Sequence, residues 1–254
     1  MNDDLTRHVD DLLKSAGLGA LPPGGPVDDL DGLASCAIGI SAAAAVHEAL
    51  GERTPDDPLE PADSLNLALA RGVVSIEEVW RAALPHAKKP AGRRLLRRLA
   101  RRMFYRRLAE AHGEGIRRDL GESVVELGRL PDLPQSVYEG GTGLACMDAI
   151  IDRLTTVGLV ARTPLRWLAA WLIHHRGADW RAVYDYFAAH RLDIEEAYDR
   201  LDLQEVAGIL ASRPFFFTRD DVKKLVGDRF CGCCEAECPF AGDKGEVARR
   251  VFEI

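Results

Sequence analysis

The chain has 254 residues, of which 47% are hydrophobic, and a formal net charge of −7. This length suits one large domain or two small ones with a sizeable core, and the acidic balance excludes a uniformly basic nucleic-acid binder. No apolar run reaches membrane-spanning length and the N-terminus, Met-Asn-Asp-Asp-Leu-Thr-Arg, is no signal peptide. The expected location is therefore cytoplasmic, with no membrane partner and with thiols kept reduced.

Residues 3–16 read as a short amphipathic helix, followed by a Gly/Pro break from Gly19 to Pro26. A small-residue apolar stretch, 31–50, has helical length and stops at Gly51; Thr54 to Pro61 carries three prolines and reads as a loop. Helical patterns then recur at about 64–71, 75–84, 92–112, 146–157, 164–176, 178–190, 193–200 and 219–226. Ser75-Ile-Glu-Glu predicts a capping box between Ser75 and Glu78, and Thr163-Pro164 predicts an N-cap followed by a proline at the first helical position. Period-2 alternation is nearly absent, and no Gly-rich phosphate loop follows a strand. The fold class is all-α, without a Rossmann domain. The expected layout is an N-terminal helical extension and Pro-rich linker over 1–60, then a helical domain over 61–254.

Residues 88–107 hold ten Lys and Arg and no acid. Arg93, Arg97 and Arg101 recur at four-residue spacing, as do Arg94, Arg98 and Arg102, so the two rows are expected to form one cationic face. Leu95, Leu96, Leu99, Met103 and Leu108 make up much of the other face. Such a run is commonly a solvated helix side. Here the mutual repulsion has almost no carboxylate within the segment to relieve it, which points to an anionic partner, either phosphates or acids from elsewhere in the chain.

Of six cysteines, Cys231, Cys233, Cys234 and Cys238 fall within eight residues. Cys-x-x-Cys with a nearby Cys-Pro is a thiolate metal-site spacing, and neighbours this close make poor structural disulfides. The ligand type favours a [4Fe–4S] cluster over zinc. Cys233 is able to stand in for Cys231 or Cys234, and Cys36 is left over. Cys146 lies 85 residues before Cys231. Among the remaining candidates, His174-His175 reads as compensation of a helix C-terminus and Glu195-Glu196 as that of a helix N-terminus. Phe215-Phe216-Phe217 reads as a core anchor, and Trp167, Trp171 and Tyr184 fit core positions.

Several segments, in order, resemble the FAD-binding domain of the photolyase/cryptochrome family. Ser64 to Ser75 with Glu78-Val79-Trp80 resembles its S-R-L-S-P-Y-L-x-F-G-x-I-S…V-W stretch. Arg102-Met103-Phe104-Tyr105-Arg106 resembles W-R-E-F-Y. Gly141-Thr142-Gly143 with Met147-Asp148-Ala149 and Leu154 resembles T-G-x-P-x-V-D-A-x-M-R-x-L. Leu165-Arg166-Trp167, Asp179-Trp180-Arg181 and Phe187 resemble R-M-x-x-A-S-F-L…D-W-R…F, and Asp193, Glu195, Ala197, Gln204 and Ala207-Gly208 resemble D-x-D-x-A…W-Q-W-x-A-G. The resemblance covers roughly residues 60–240. It implies a helical flavin-domain fold, FAD contacts at Ser64, Asn66, Arg102, Arg166, Asp193 and Glu195, an Arg166–Asp193 ion pair beside the flavin ring, and Trp180 as an electron-relay residue.

The iron–sulfur bacterial branch is the most similar. Ala145-Cys146, Arg213-Pro214-Phe215, Cys231-x-x-Cys234 and Glu237-Cys238-Pro239-Phe240 resemble its motifs. This implies that Cys146, Cys231, Cys234 and Cys238 hold a [4Fe–4S] cluster. It also places Arg94, Arg98, Arg101 and Arg102 toward a cofactor and substrate cleft, where they are expected to contact DNA or RNA.

The departures carry equal weight. About 60 residues precede the flavin-domain match, so no α/β antenna domain and no antenna chromophore are expected. The phosphate contact Thr-Ser-Arg-Leu-Ser reads Ala62-Asp63-Ser64-Leu65-Asn66, which puts an acid where pyrophosphate would approach. The glutamate of W-R-E-F-Y is Met103 and its tryptophan Arg101. The flavin-side asparagine falls near Asp199, both W-Q-W tryptophans are replaced, by Leu203 and Glu205, and the branch's paired histidines fall near Ala161 and Arg162. Weak or absent FAD is the expectation. The implied function is a redox or light-responsive iron–sulfur flavoprotein connected with DNA binding or repair, a deoxyribodipyrimidine photolyase-like lyase if active. The alternatives are a non-enzymatic [4Fe–4S] nucleic-acid-binding or sensor module without FAD, similar to the helical cluster domain of the primase large subunit, and a structural zinc protein.

Overall fold

A computed structural model of the chain describes residues 41–51, 57–234 and 237–252. The expected helix at 3–16, the break at Gly19–Pro26, the first part of the 31–50 helix, the start of the Thr54–Pro61 loop and Cys36 lie outside the described residues. The regular elements among the described residues are helices, as the all-α reading expects, joined by one isolated parallel bridge between Leu130 and Ala178. The chain forms two compact units, with exchanges at 57–60 and 192–195.

Unit 1 takes its described residues from Met1–Asp56, Pro61–Leu108 and Leu192–Glu195. Its helices are α1 (Ala42–Leu50), α2 (Leu65–Ala70), α3 (Ile76–Ala83) and the greater part of α4 (Pro90–His112). The capping box at Ser75 and Glu78 is present: the Ser75 hydroxyl accepts from the Glu78 N–H and the Glu78 carboxylate accepts from the Ser75 N–H. Val46, Leu65, Ile76, Val79, Leu95 and Leu99 meet in one apolar core, each contributing roughly 1.5–3 kcal/mol by leaving water. Gly92 lets α4 lie directly on the preceding turn. A Cβ at that position would sit 1.9 Å from the His86 carbonyl oxygen, so no side chain fits.

Unit 2 comprises Asp57–Glu60, Ala109–Arg191 and Glu196–Ile254. Its helices are α5 (Gln135–Glu139), α6 (Ala145–Thr156), α7 (Arg162–Ala170), α8 (Trp180–His190), α9 (Glu196–Val206), α10 (Arg219–Val226) and α11 (Lys244–Phe252). The sequence reading did not anticipate α5 or α11. Helix α7 starts earlier than expected: Ala161 is the N-cap, so Pro164 lies in the first turn, where its missing N–H costs nothing, and Thr163 is no cap. The expected helix 164–176 ends at Ala170 and widens into a π-turn over Trp171–His175.

The π-turn overturns the reading of the two histidines. Burial lowers the pKa of His174 to about 4, and burial, together with His174 and Arg250, lowers that of His175 to about 4. Both rings are therefore neutral at pH 7 and supply no charge to a helix end. Instead the His174 Nε2–H donates to the Val206 carbonyl at 2.9 Å, and the rings pack edge-on against Phe252 and Phe240. Gln204 is fully buried: its Nε2 donates to the carbonyls of Ile116 and Arg118 at 3.0 and 3.1 Å, and its Oε1 accepts from the Leu120 N–H at 2.9 Å. One side chain thus satisfies three backbone groups of the 116–120 segment.

Candidate functional site

The polar centre of unit 1 is built on one face of α4. A four-residue step on an α-helix advances about 40° beyond a full turn, so the row Arg94, Arg98, Arg102 winds from solvent into the unit. Arg94 is exposed, Arg98 half-buried and Arg102 3% exposed. Arg94, Arg98, Arg101 and Arg102, expected to line a cofactor and substrate cleft, thus differ in exposure along the helix. Arg98 grips Asp63 through Nη1 at 2.6 Å and Nη2 at 2.7 Å, and Nη2 also donates to Asn66 Oδ1 at 2.8 Å. Arg102 donates to Glu195 at 2.6 Å and to Asn66 Oδ1 at 3.0 Å. Arg101 bonds the Tyr105 hydroxyl at 2.9 Å.

Ser64, at the start of α2, gives both its hydroxyl and its backbone N–H to the Glu48 carboxylate. Burial by itself would raise the Asp63 pKa, but the charge and hydrogen bonds of Arg98 outweigh it and hold the carboxyl below its ordinary range. Asp193 is buried in the same unit. Sequence reasoning had marked Asp63 as an acid in a phosphate position. It missed that Asp63 is a partner of Arg98, and it missed Glu48 altogether, because thirty-five and sixteen residues of chain separate the bonded groups.

This arrangement does not fit the pyrophosphate of FAD. Ser64 is held by one carboxylate, and the Asn66 oxygen is turned toward two guanidiniums. Among the described residues, the Glu48 carboxylate takes Ser64, Asp63 takes Arg98 and Glu195 takes Arg102. A further dianion placed there would break these bonds and meet like charge.

In unit 2, Arg166 is held by Asp202 at 2.9 Å and Glu205 at 3.4 Å and lies 4.5 Å over the Phe215 ring. Asp193, the partner implied by the resemblance, lies in unit 1. Asp202 and Glu205 stand three residues apart on α9, on the side that meets α7, and so present two carboxylates to one guanidinium. Asp202 also takes Arg162 at 2.7 Å. Trp180 opens α8, 1% exposed, with its indole N–H on Asp119 at 2.8 Å and the Arg181 guanidinium 4.5 Å from its ring.

Cys146 is buried in the first turn of α6, and Cys231, Cys234 and Cys238 lie in the loop before α11; all four are free thiols in unit 2. Burial first, and then the nearby Cys234, Cys238 and Cys231, push the Cys146 thiol up to about 12. Cys233 is exposed. Among the described residues, no group of three or more His, Cys, Asp or Glu stands in an arrangement that would hold a metal ion. The donor set has the number and chemistry a [4Fe–4S] cluster takes, four thiols on two segments of unit 2.

Two solved structures share the fold. A bacterial class III photolyase from Agrobacterium tumefaciens is 21% identical, with a TM-score of 0.60, over 100% of this chain and 54% of that one. A cryptochrome from Synechocystis sp. PCC6803 is 15% identical, with a TM-score of 0.55, over 98% of this chain and 45% of that one. The chain thus spans about half the length of these structures. No curated protein matches it in sequence. The sequence profile described as the FAD binding domain of DNA photolyase matches residues 95–225, just over half of the chain, from the core of α4 through the Arg166 and Gln204 elements to α10. The chain therefore belongs to the family of the FAD binding domain of DNA photolyase, within the photolyase/cryptochrome superfamily.

Proposed function

We propose that this protein is an iron–sulfur redox or sensing module on the photolyase flavin-domain fold, and not a light-driven lyase. The reading rests on the donor set, four free cysteines on two segments of unit 2: Cys146 at the buried start of α6, and Cys231, Cys234 and Cys238 ahead of α11. Thiolates brought to one centre need a cation to relieve their repulsion. Cys146, Cys231, Cys234 and Cys238 would hold a [4Fe–4S] cluster, which when bound supplies one-electron redox chemistry. The four ligands would also tie the 231–238 loop to α6, so that metal loading adds to folding stability. Reduced thiols of this kind suit a cytoplasmic location; among the described residues no helix is long and apolar enough to cross a membrane.

A second reading, a flavin-dependent photolyase- or cryptochrome-like protein, draws its support from the family itself. Against it stand Ser64 and Asn66, each engaged by a neighbour within unit 1. Iron, acid-labile sulfide and released flavin, measured together on anaerobically purified protein, separate the two. Iron and sulfide without stoichiometric FAD is the expected result, whereas stoichiometric FAD favours the second reading.

A further inference from the structure

Unit 1 carries a cavity that neither the cluster nor the flavin reading uses. It opens where α1 passes the end of α3 and the start of α4, and it holds about 490 Å³, within the range of small-molecule sites. Ala43, Val46, His47 and Leu50 line it at the spacing of one helix face. Ala82 from α3 and Ala91 from α4 complete its apolar walls. The charged and polar side chains that line it are His47, His86 and Lys89, with no carboxylate among them. His86 is half-buried, while His47 and Lys89 are exposed. Among the described residues, none of these three side chains is held by a hydrogen bond or an ion pair. The acids of the same helices are engaged elsewhere: Glu48 of α1 takes Ser64, Glu78 of α3 closes its own helix cap and Glu77 takes Arg106. An apolar hollow alone is ordinary, and so is a solvated lysine. Apolar walls that end in an ammonium and two unpartnered imidazoles, with no acid to answer them, suit a ligand that has both an apolar and an anionic part.

We infer that this cavity binds an aliphatic carboxylate. The chain of the ligand lies against Val46, Leu50 and Ala82, and its head group accepts hydrogen bonds from the Lys89 ammonium and the imidazoles of His47 and His86. The apolar walls are Ala, Val and Leu, so no aromatic ring is present to stack a flat ligand, and an alkyl chain is the complementary shape. An alkylammonium of equal length would meet Lys89 as a like charge, and a neutral alcohol would leave that ammonium without a counter-ion. The inference involves neither the Arg98–Asp63 pair nor the cysteines, and it does not depend on the cluster or on flavin.

Ligand-observed NMR titration of the purified full chain tests it, with hexanoate, octanoate, octylamine and 1-octanol as probes. Each methylene that enters the cavity should tighten binding about fourfold, so octanoate should bind roughly fifteenfold more tightly than hexanoate. Octylamine should bind at least tenfold more weakly than octanoate. Ala82→Leu, which puts side-chain volume into the cavity, should cost octanoate roughly tenfold. Lys89→Gln should cost octanoate roughly fivefold and leave octanol unchanged, as suits an exposed ion pair. Lys224→Gln, an exposed charge removed from unit 2, should change neither. Circular dichroism of the variants should match the parent. The chain-length and head-group comparisons use the parent protein alone, so they decide the matter even if a variant is unstable. No binding of octanoate at millimolar concentration overturns the inference. So does an affinity that does not rise from hexanoate to octanoate, octylamine or octanol binding as tight as octanoate, an unaffected Ala82→Leu, or an equal loss from Lys224→Gln and Lys89→Gln.

Discussion

Arg98 holds Asp63 with both terminal nitrogens, at 2.6 and 2.7 Å, across thirty-five residues of sequence. This one pair ties α4 to the start of α2 and decides what unit 1 can accept. In the superfamily pattern the Asp63 position belongs to a phosphate-contact stretch; here it is an anion already matched to its cation. The expected consequence is weak FAD retention.

Removing the anion should therefore destabilise the protein while opening the site to other anions. Asp63→Asn leaves Arg98 half-buried without the carboxylate it grips with two nitrogens, at a cost of about 2–3 kcal/mol. Because the Asp63 pKa is depressed in the folded state, its contribution is present above the ordinary carboxylate pKa and is lost as pH falls through the folded value. Urea midpoints should accordingly differ between parent and variant at pH 7 and converge in strong acid. Flavin fluorescence quenching should report equal or better FAD binding by Asp63→Asn than by the parent. A marked loss would mean that Asp63 serves the cofactor after all.

The buried histidines set a second pH dependence. His174 titrates near 4 when folded and near 6.5 when unfolded, so the unfolded chain binds more protons between those values. Stability from this group is full above about pH 6.5 and falls as pH drops toward 4, by about 3 kcal/mol. His174→Gln, which keeps a donor for the Val206 carbonyl, should lower the slope of unfolding free energy against pH over that window, with His175 keeping its own share. A slope unchanged from the parent would place the titration elsewhere.

At Gly92 the constraint is steric. Gly92→Ala forces a Cβ onto the His86 carbonyl and should cost about 1–3 kcal/mol, with α4 shifted from its turn. Thermal denaturation measures it, and a melting temperature equal to that of the parent would show that the helix start yields freely.

The elements that sequence reading found and those it missed differ in a physical way. Ser75 to Glu78 was legible because capping is local, with donor and acceptor three residues apart. The apolar stripes of α4, α6 and α8 were legible because their period is that of the helix. The segment 164–176 misled because a π-turn leaves composition unchanged while altering where His174 and His175 point. The arginines of α4 misled for a related reason: treating four-residue rows as straight hides their drift around the helix, so Arg98 and Arg102 were grouped with Arg94 instead of being separated from Arg97. Asp202 as the partner of Arg166 depends on how α7 and α9 pack, which one sequence does not display. Cys146 acquired a role only through a motif resemblance, since nothing in its own neighbourhood marks it.

Thiol substitutions should sort by position. Cys146→Ser, Cys231→Ser, Cys234→Ser and Cys238→Ser should each lower iron content and the unfolding midpoint together, because ligation and folding share one free energy. Cys233→Ser should do neither. Full iron in the Cys146 variant would reassign the fourth ligand to Cys233.

The most direct measurement is the visible absorption spectrum of the anaerobically purified chain, read with its iron and sulfide content. A broad brown absorption that bleaches on reduction, with about four irons and four sulfides per chain and no resolved flavin bands, is the expected result. A colourless protein with one bound zinc, or a yellow one with stoichiometric FAD and no iron, would contradict the account.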